Sequence, residues 1–108
     1  MIHWDASPQF RAALDSYVAG CKRIYAEYCA KNDFANQDNE GSWEAQWLQK
    51  RVRLVHVNYG AHSFVDIATG DVLKPASWKA PAKHSRGNIF DAQNGLGSMG
   101  PHGPAYLR

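Results

Sequence analysis

Cysteine is nearly absent from this sequence, with only Cys21 and Cys29 among 108 residues. Both fall in one predicted helix, where eight residues at 1.5 Å rise separate them by about 12 Å. A disulfide closes Cα separations of up to ~7 Å, so the two thiols do not pair and read as small hydrophobes on a helix. Two unpaired thiols point to a cytoplasmic protein. No apolar run approaches the ~18 residues that span a bilayer, so no membrane partner is expected. The start, Met1-Ile2-His3-Trp4-Asp5, has neither a basic n-region nor an apolar h-region, and secretion is not expected.

Catalytic signatures are equally scarce. There is no P-loop, no G-x-G-x-x-G, no H-E-x-x-H and no C-x-x-C. The five histidines (His3, His56, His62, His84 and His102) are scattered. His56 and His62 could face each other across a hairpin at Tyr59-Gly60, but two ligands fall two short of a zinc shell. Asp66, Asp71 and Asp91 sit where capping and turn roles account for them. The reading is a non-enzyme with no cofactor and no metal.

The remaining composition is that of a folded domain: 44% apolar and 20% charged residues, in a length that fits one small domain. The net charge of +2 conceals an uneven distribution. Residues 1–48 hold four basic and seven acidic side chains, a net −3. Residues 49–108 hold eight basic and three acidic ones, a net +5, and an anionic partner belongs on that half.

The patterning predicts an α+β fold: a long N-terminal amphipathic helix packed on a small antiparallel β-meander, followed by an ordered Gly/Pro-rich segment. Ser7-Pro8 is a helix start, with the hydroxyl as N-cap and proline at the first helical position. Phe10, Leu14, Tyr17, Cys21, Ile24 and Tyr28 then recur at spacings of four and three, forming one apolar stripe over residues 8–31. The stripe packs on the chain's own sheet; its other use would be pairing with a second copy in a homodimer. Residues 32–42 form an acidic polar loop. Trp43 and Trp47, four apart, fit one helical turn or the lead-in to a strand, with the short helix preferred.

From Arg51 the period changes. Arg51–Asn58 and His62–Ile67 are β-rich, Gly70 suits a tight hairpin, and Val72-Leu73-Lys74 makes a third strand of a meander over 51–74. A basic, Pro-containing loop is expected over 74–88. Six of the eleven residues from Asn94 to Pro104 are Gly or Pro, so the 94–108 segment holds no long helix or central strand. The apolar residues scattered through it predict a segment wrapped on the core.

The 74–88 segment is the unusual one. It carries Lys74, Lys79, Lys83 and Arg86 with the titratable His84 and Trp78, and no acidic residue lies between Asp71 and Asp91. Cations neutralise phosphates and an indole offers a stacking face, so this mixture suits nucleic acid or nucleotide phosphates. After Pro81, a short helix would align Lys79, Lys83 and Arg86. Arg51 and Arg53 share a strand face and could extend the basic stripe. Trp78 itself is expected to lie mostly buried on the sheet, with the cations around it exposed.

The block Thr69-Gly70-Asp71-Val72-Leu73-Lys74-Pro75-Ala76-Ser77-Trp78-Lys79-Ala80-Pro81-Ala82-Lys83-His84-Ser85-Arg86-Gly87-Asn88, with the ending Gly103-Pro104-Ala105-Tyr106-Leu107-Arg108, resembles a group of small bacteriophage-encoded proteins without an assigned activity. The resemblance covers the C-terminal half and carries no catalytic residue over. It implies a phage gene expressed in the bacterial cytoplasm, whose product touches nucleic acid or takes part in host takeover. Two functions follow as expectations. The first is nucleic-acid or phosphate binding through Arg51, Arg53, Lys74, Lys79, Lys83, His84 and Arg86. The alternative is an inhibitor that binds and blocks a host protein or defence complex. That inhibitor would use the basic loop against an acidic groove, or Trp43, Trp47 and Trp78 as contact residues, the first two beside Asp33, Asp38, Glu40 and Glu44.

Overall fold

The computed structural model describes residues 7–31, 43–57, 60–97, 99–100 and 103–104. The expected acidic loop over 32–42 therefore lies outside the described residues, as do parts of the 94–108 segment.

Helix α1 runs from Pro8 to Lys31. It begins as its sequence dictates, because the Ser7 hydroxyl accepts the Phe10 N–H at 3.0 Å and satisfies a donor of the first turn. Its apolar stripe is spent inside the chain: Phe10, Leu14, Tyr17, Cys21, Tyr25 and Cys29 are all buried. Packing on the chain's own sheet is thus observed, with Ile24 and Tyr28 of the expected stripe only half-buried.

The sheet has five antiparallel strands in sequence order: β1 Trp43–Trp47, β2 Arg51–His56, β3 Gly60–Asp66, β4 Asp71–Pro75 and β5 Pro81–Asn88. A meander was expected; two further strands extend it at either edge. Trp43-Glu44-Ala45-Gln46-Trp47 is a strand and not a helical turn. In register it places Trp43 opposite His56, Ala45 opposite Leu54 and Trp47 opposite Val52, so both indoles join the row that faces the helix. The four-residue spacing of the tryptophans fits one face of a strand as well as one face of a helix.

The segment expected as a loop over 74–88 is likewise a β-hairpin. Its tip is organised by Ala80, whose carbonyl accepts the N–H groups of Ala76 and Ser77 at 3.0 Å each, and by the Ser77 hydroxyl, which accepts those of Lys79 and Ala80. Prolines end the paired region on both sides, with Pro75 opposite Pro81, so they frame the tip and do not prevent the strands. Register shifts after Val72 and Leu73 mark β-bulges, which keep this edge strand irregular.

The core lies between helix and sheet, where Phe10, Leu14, Tyr17 and Cys21 meet Val52, Leu54, Val65, Val72 and Ile89. A short ribbon, β6 Met99–Gly100 with β7 Gly103–Pro104, touches the helix through β6 and strands β3 and β4 through β7. The approach is close. A Cβ on Gly103, whose φ is +131°, would stand 2.7 Å from the His62 carbonyl oxygen, so only glycine fits there. The sheet's other face is polar at its rim, yet Phe64, on the row with Arg53 and Leu73, is completely buried.

Candidate nucleic-acid interface

Sheet order puts β5 at an edge, and with it the residues the sequence singled out. Lys79, Lys83 and His84 are exposed, and Lys74 on β4 lies across from the bulged stretch of β5. The Arg86 guanidinium turns back to donate to the His84 carbonyl. Carboxylates meet this hairpin at its base: Asp71 accepts the Ser85 hydroxyl at 3.3 Å and the Asn88 amide at 3.1 Å, and Asp91 accepts the Asn88 backbone N–H at 3.2 Å. The tip and the outer part of the edge are therefore uniformly basic along the chain. Lys79, Lys83 and Arg86 do not share a helix face, because this stretch is extended.

Trp78 corrects the expectation made for it. The indole is not core; 46% of the residue remains exposed at the hairpin tip. It is held in place by Arg53 from β2, whose guanidinium carbon lies 4.0 Å from the ring centroid. Arg53 Nη1 also donates to the Trp78 carbonyl at 3.0 Å. Since β3 and β4 separate Arg53 from β5 in the sheet, the tip curls back across the helix-free face to make these contacts. Arg53 is fixed in turn by Gln46 on β1, whose Oε1 accepts Nε at 2.9 Å and Nη2 at 2.6 Å. Gln46 Nε2 donates to Glu44 at 3.0 Å. The chain Glu44–Gln46–Arg53–Trp78 was not anticipated from the sequence. Its only sequence signal is the alternation that puts Glu44 and Gln46 on one face of a strand.

The other predicted site residues divide. Arg51 stands half-buried opposite Asp66 in the β2–β3 register, and the Asp66 carboxylate accepts the N–H groups of Ala68 and Thr69. Trp43 and Trp47 are packed inward. Trp43 stacks on His56 at 4.2 Å between ring centroids, and Trp47 meets Phe10 edge-on at 5.9 Å with Arg11 over its ring at 5.0 Å. His56 also meets Tyr25 at 4.5 Å, and His62 meets Trp43 at 5.1 Å. Both histidines are thereby core residues. Ser63 ties the cluster together: its hydroxyl shares hydrogen bonds with Tyr17 Oη at 2.6 Å and His62 Nδ1 at 3.0 Å.

This Ser–His contact has no open approach, because Ser63 and Tyr17 are completely buried. Desolvation holds the Tyr17 phenol well above its ordinary pKa, and burial pushes the neighbouring Cys21 thiol up to about 12. A thiol in that state is protonated and unreactive at neutral pH. Among the described residues, no group of three or more His, Cys, Asp or Glu side chains is placed to hold a metal ion. No helix among them is long and apolar enough to cross a membrane.

Residues 17–99 match a family described as a family of unknown function, DUF7717. The chain belongs to that family. The match runs from the middle of α1 to the start of β6, so the DUF7717 unit takes in all five strands of the main sheet, the Arg53–Trp78 contact and the basic edge. No curated protein and no solved structure matches the chain.

Proposed function

We propose that this DUF7717 protein binds nucleic acid through the β4–β5 hairpin, in the cytoplasm of a bacterium expressing a phage gene. The observation that carries the reading is the basic edge: Lys74, Lys79, Lys83, His84 and Arg86 lie on one hairpin, with the carboxylates of Asp71 and Asp91 bonded at its base. Phosphates are recognised by such clustered cations, which release the counterions condensed on the polymer. The tip adds an aromatic side chain that is open to solvent. Aromatic–basic combinations of this kind serve binders of single strands.

Fluorescence anisotropy with short labelled oligonucleotides at two salt concentrations tests the reading. About four phosphate contacts imply a slope of log K against log salt near −3, or roughly 50-fold weaker binding when salt rises from about 50 to about 200 mM. Lys79→Glu with Lys83→Glu should remove binding and leave the melting temperature nearly unchanged, because both side chains are exposed. Absence of binding at low salt would refute the proposal. The same edge also suits an acidic groove on a host protein, the inhibitor reading. A partner that survives nuclease treatment in a lysate pull-down, together with no oligonucleotide binding, would favour that reading.

A further inference from the structure

Exposed tryptophans cost solubility, and one that is both exposed and fixed asks for an explanation. Trp78 is only half-buried. A guanidinium covers one face of its ring at 4.0 Å, and the same guanidinium bonds its carbonyl. Arg53 lies over one face of the ring, and 46% of the residue remains open to solvent. Beneath this contact lies a second layer, in which Gln46 bonds the guanidinium and Glu44 bonds Gln46. Side chains arranged in this way lose little freedom when a planar group lands on the open face.

We infer that the site takes single-stranded nucleic acid, with one unstacked base laid on the open face of Trp78 to give a base–indole–guanidinium stack. The inference rests on the proposed function and narrows its ligand. Bases in a duplex are already covered on both faces and cannot reach an indole projecting from a hairpin tip, whereas any base of a single strand can. The strand's phosphates then run along the basic edge at Lys79 and Lys83. Arg53 is a positioning residue for Trp78, and Gln46 positions Arg53. Stacking on a shared π-face is indifferent to base identity, so little sequence preference is expected.

Incorporating 5-fluorotryptophan gives each indole its own fluorine resonance, and the one lost in Trp78→Phe is that of Trp78. On adding an oligothymidylate of about twelve nucleotides, that resonance should shift selectively. It should stay in place with inorganic phosphate and with thymidine monophosphate at equal phosphate concentration. Anisotropy should give a loss of about 5- to 100-fold in single-strand affinity for Trp78→Ala, with the salt slope unchanged. Gln46→Leu alters no charge and lies away from the hairpin, and it should lower affinity several-fold, again at constant slope. Lys79→Glu with Lys83→Glu should instead remove binding at every salt concentration. Equal affinity for a duplex of the same length, equal affinity for the mononucleotide, or an unmoved Trp78 resonance on saturation overturns the inference. In the first and third cases, salt-dependent binding through the lysines leaves the broader reading standing. Failure of every nucleic acid to bind at low salt removes both.

Discussion

The position of Trp78 sets a stability effect that can be worked from its surroundings. A fully buried aromatic side chain hides about 150–250 Å². With 46% exposed, Trp78 hides about half of that, roughly 100 Å², worth about 2.5 kcal/mol at 25 cal/mol per Å². Part of this burial survives in alanine and part exists in the unfolded chain, which trims the figure. The cation–π contact with Arg53 returns about 0.5–1 kcal/mol at an exposed site. The Arg53 guanidinium bonds residue 78 through its backbone carbonyl, so that bond persists in the variant. The expected cost of Trp78→Ala is therefore about 2 kcal/mol. At 4–8 °C per kcal/mol, with the lower end apt for this length, the melting temperature falls by roughly 8–10 °C. Phe10→Ala, at a fully buried position, should cost about 3–5 kcal/mol and lower the midpoint by well over 12 °C. Differential scanning calorimetry on the two variants side by side provides the comparison. A double-mutant cycle with Arg53→Met isolates the stacking contact, which should couple by about 0.5–1 kcal/mol. A Trp78→Ala midpoint as low as that of Phe10→Ala would show the indole to be core and would remove the stacking face from any binding argument.

Two further predictions concern polar groups. Tyr17→Phe and Ser63→Ala each break the buried 2.6 Å hydrogen bond; Ser63→Ala leaves the phenol without that partner and should cost about 1–3 kcal/mol. The double variant should cost less than the sum of the two single ones, as urea denaturation midpoints would reveal; strict additivity would refute the coupling. Asp91 accepts N–H groups of Gly95, Asn88 and Gln93, and these bonds, Gly95 first, hold its carboxyl below the ordinary carboxylate range. Its folded pKa lies below its unfolded one, so its stabilisation is present above the unfolded value and fades as pH falls through the folded value. Asp91→Asn should accordingly lower the melting temperature at neutral pH, with the gap to wild type closing in strong acid. A gap that is constant with pH would refute the assignment.

Local signals in the sequence determined much of this protein. The Ser7-Pro8 start and the four–three apolar spacing delimit α1, because capping and helical periodicity are settled within a few residues of chain. β-Branched runs and Gly70 mark β2, β3 and β4 for the same reason, and the charge count alone locates the basic hairpin. What tertiary structure decided is which partners these segments meet. Trp43 and Trp47 satisfy helix and strand spacing equally, and only pairing with His56 and Val52 makes them part of a strand. Residues 81–88, broken by proline and glycine, become a strand because β4 offers a ladder with bulges to absorb the irregularity. Trp78 could have dropped into the core or stood outside it. An arginine 25 residues earlier in the chain, on a strand two places away in the sheet, holds it at the surface. No local periodicity encodes that choice, since it depends on the tip of one hairpin reaching a side chain that another pair of strands has already fixed.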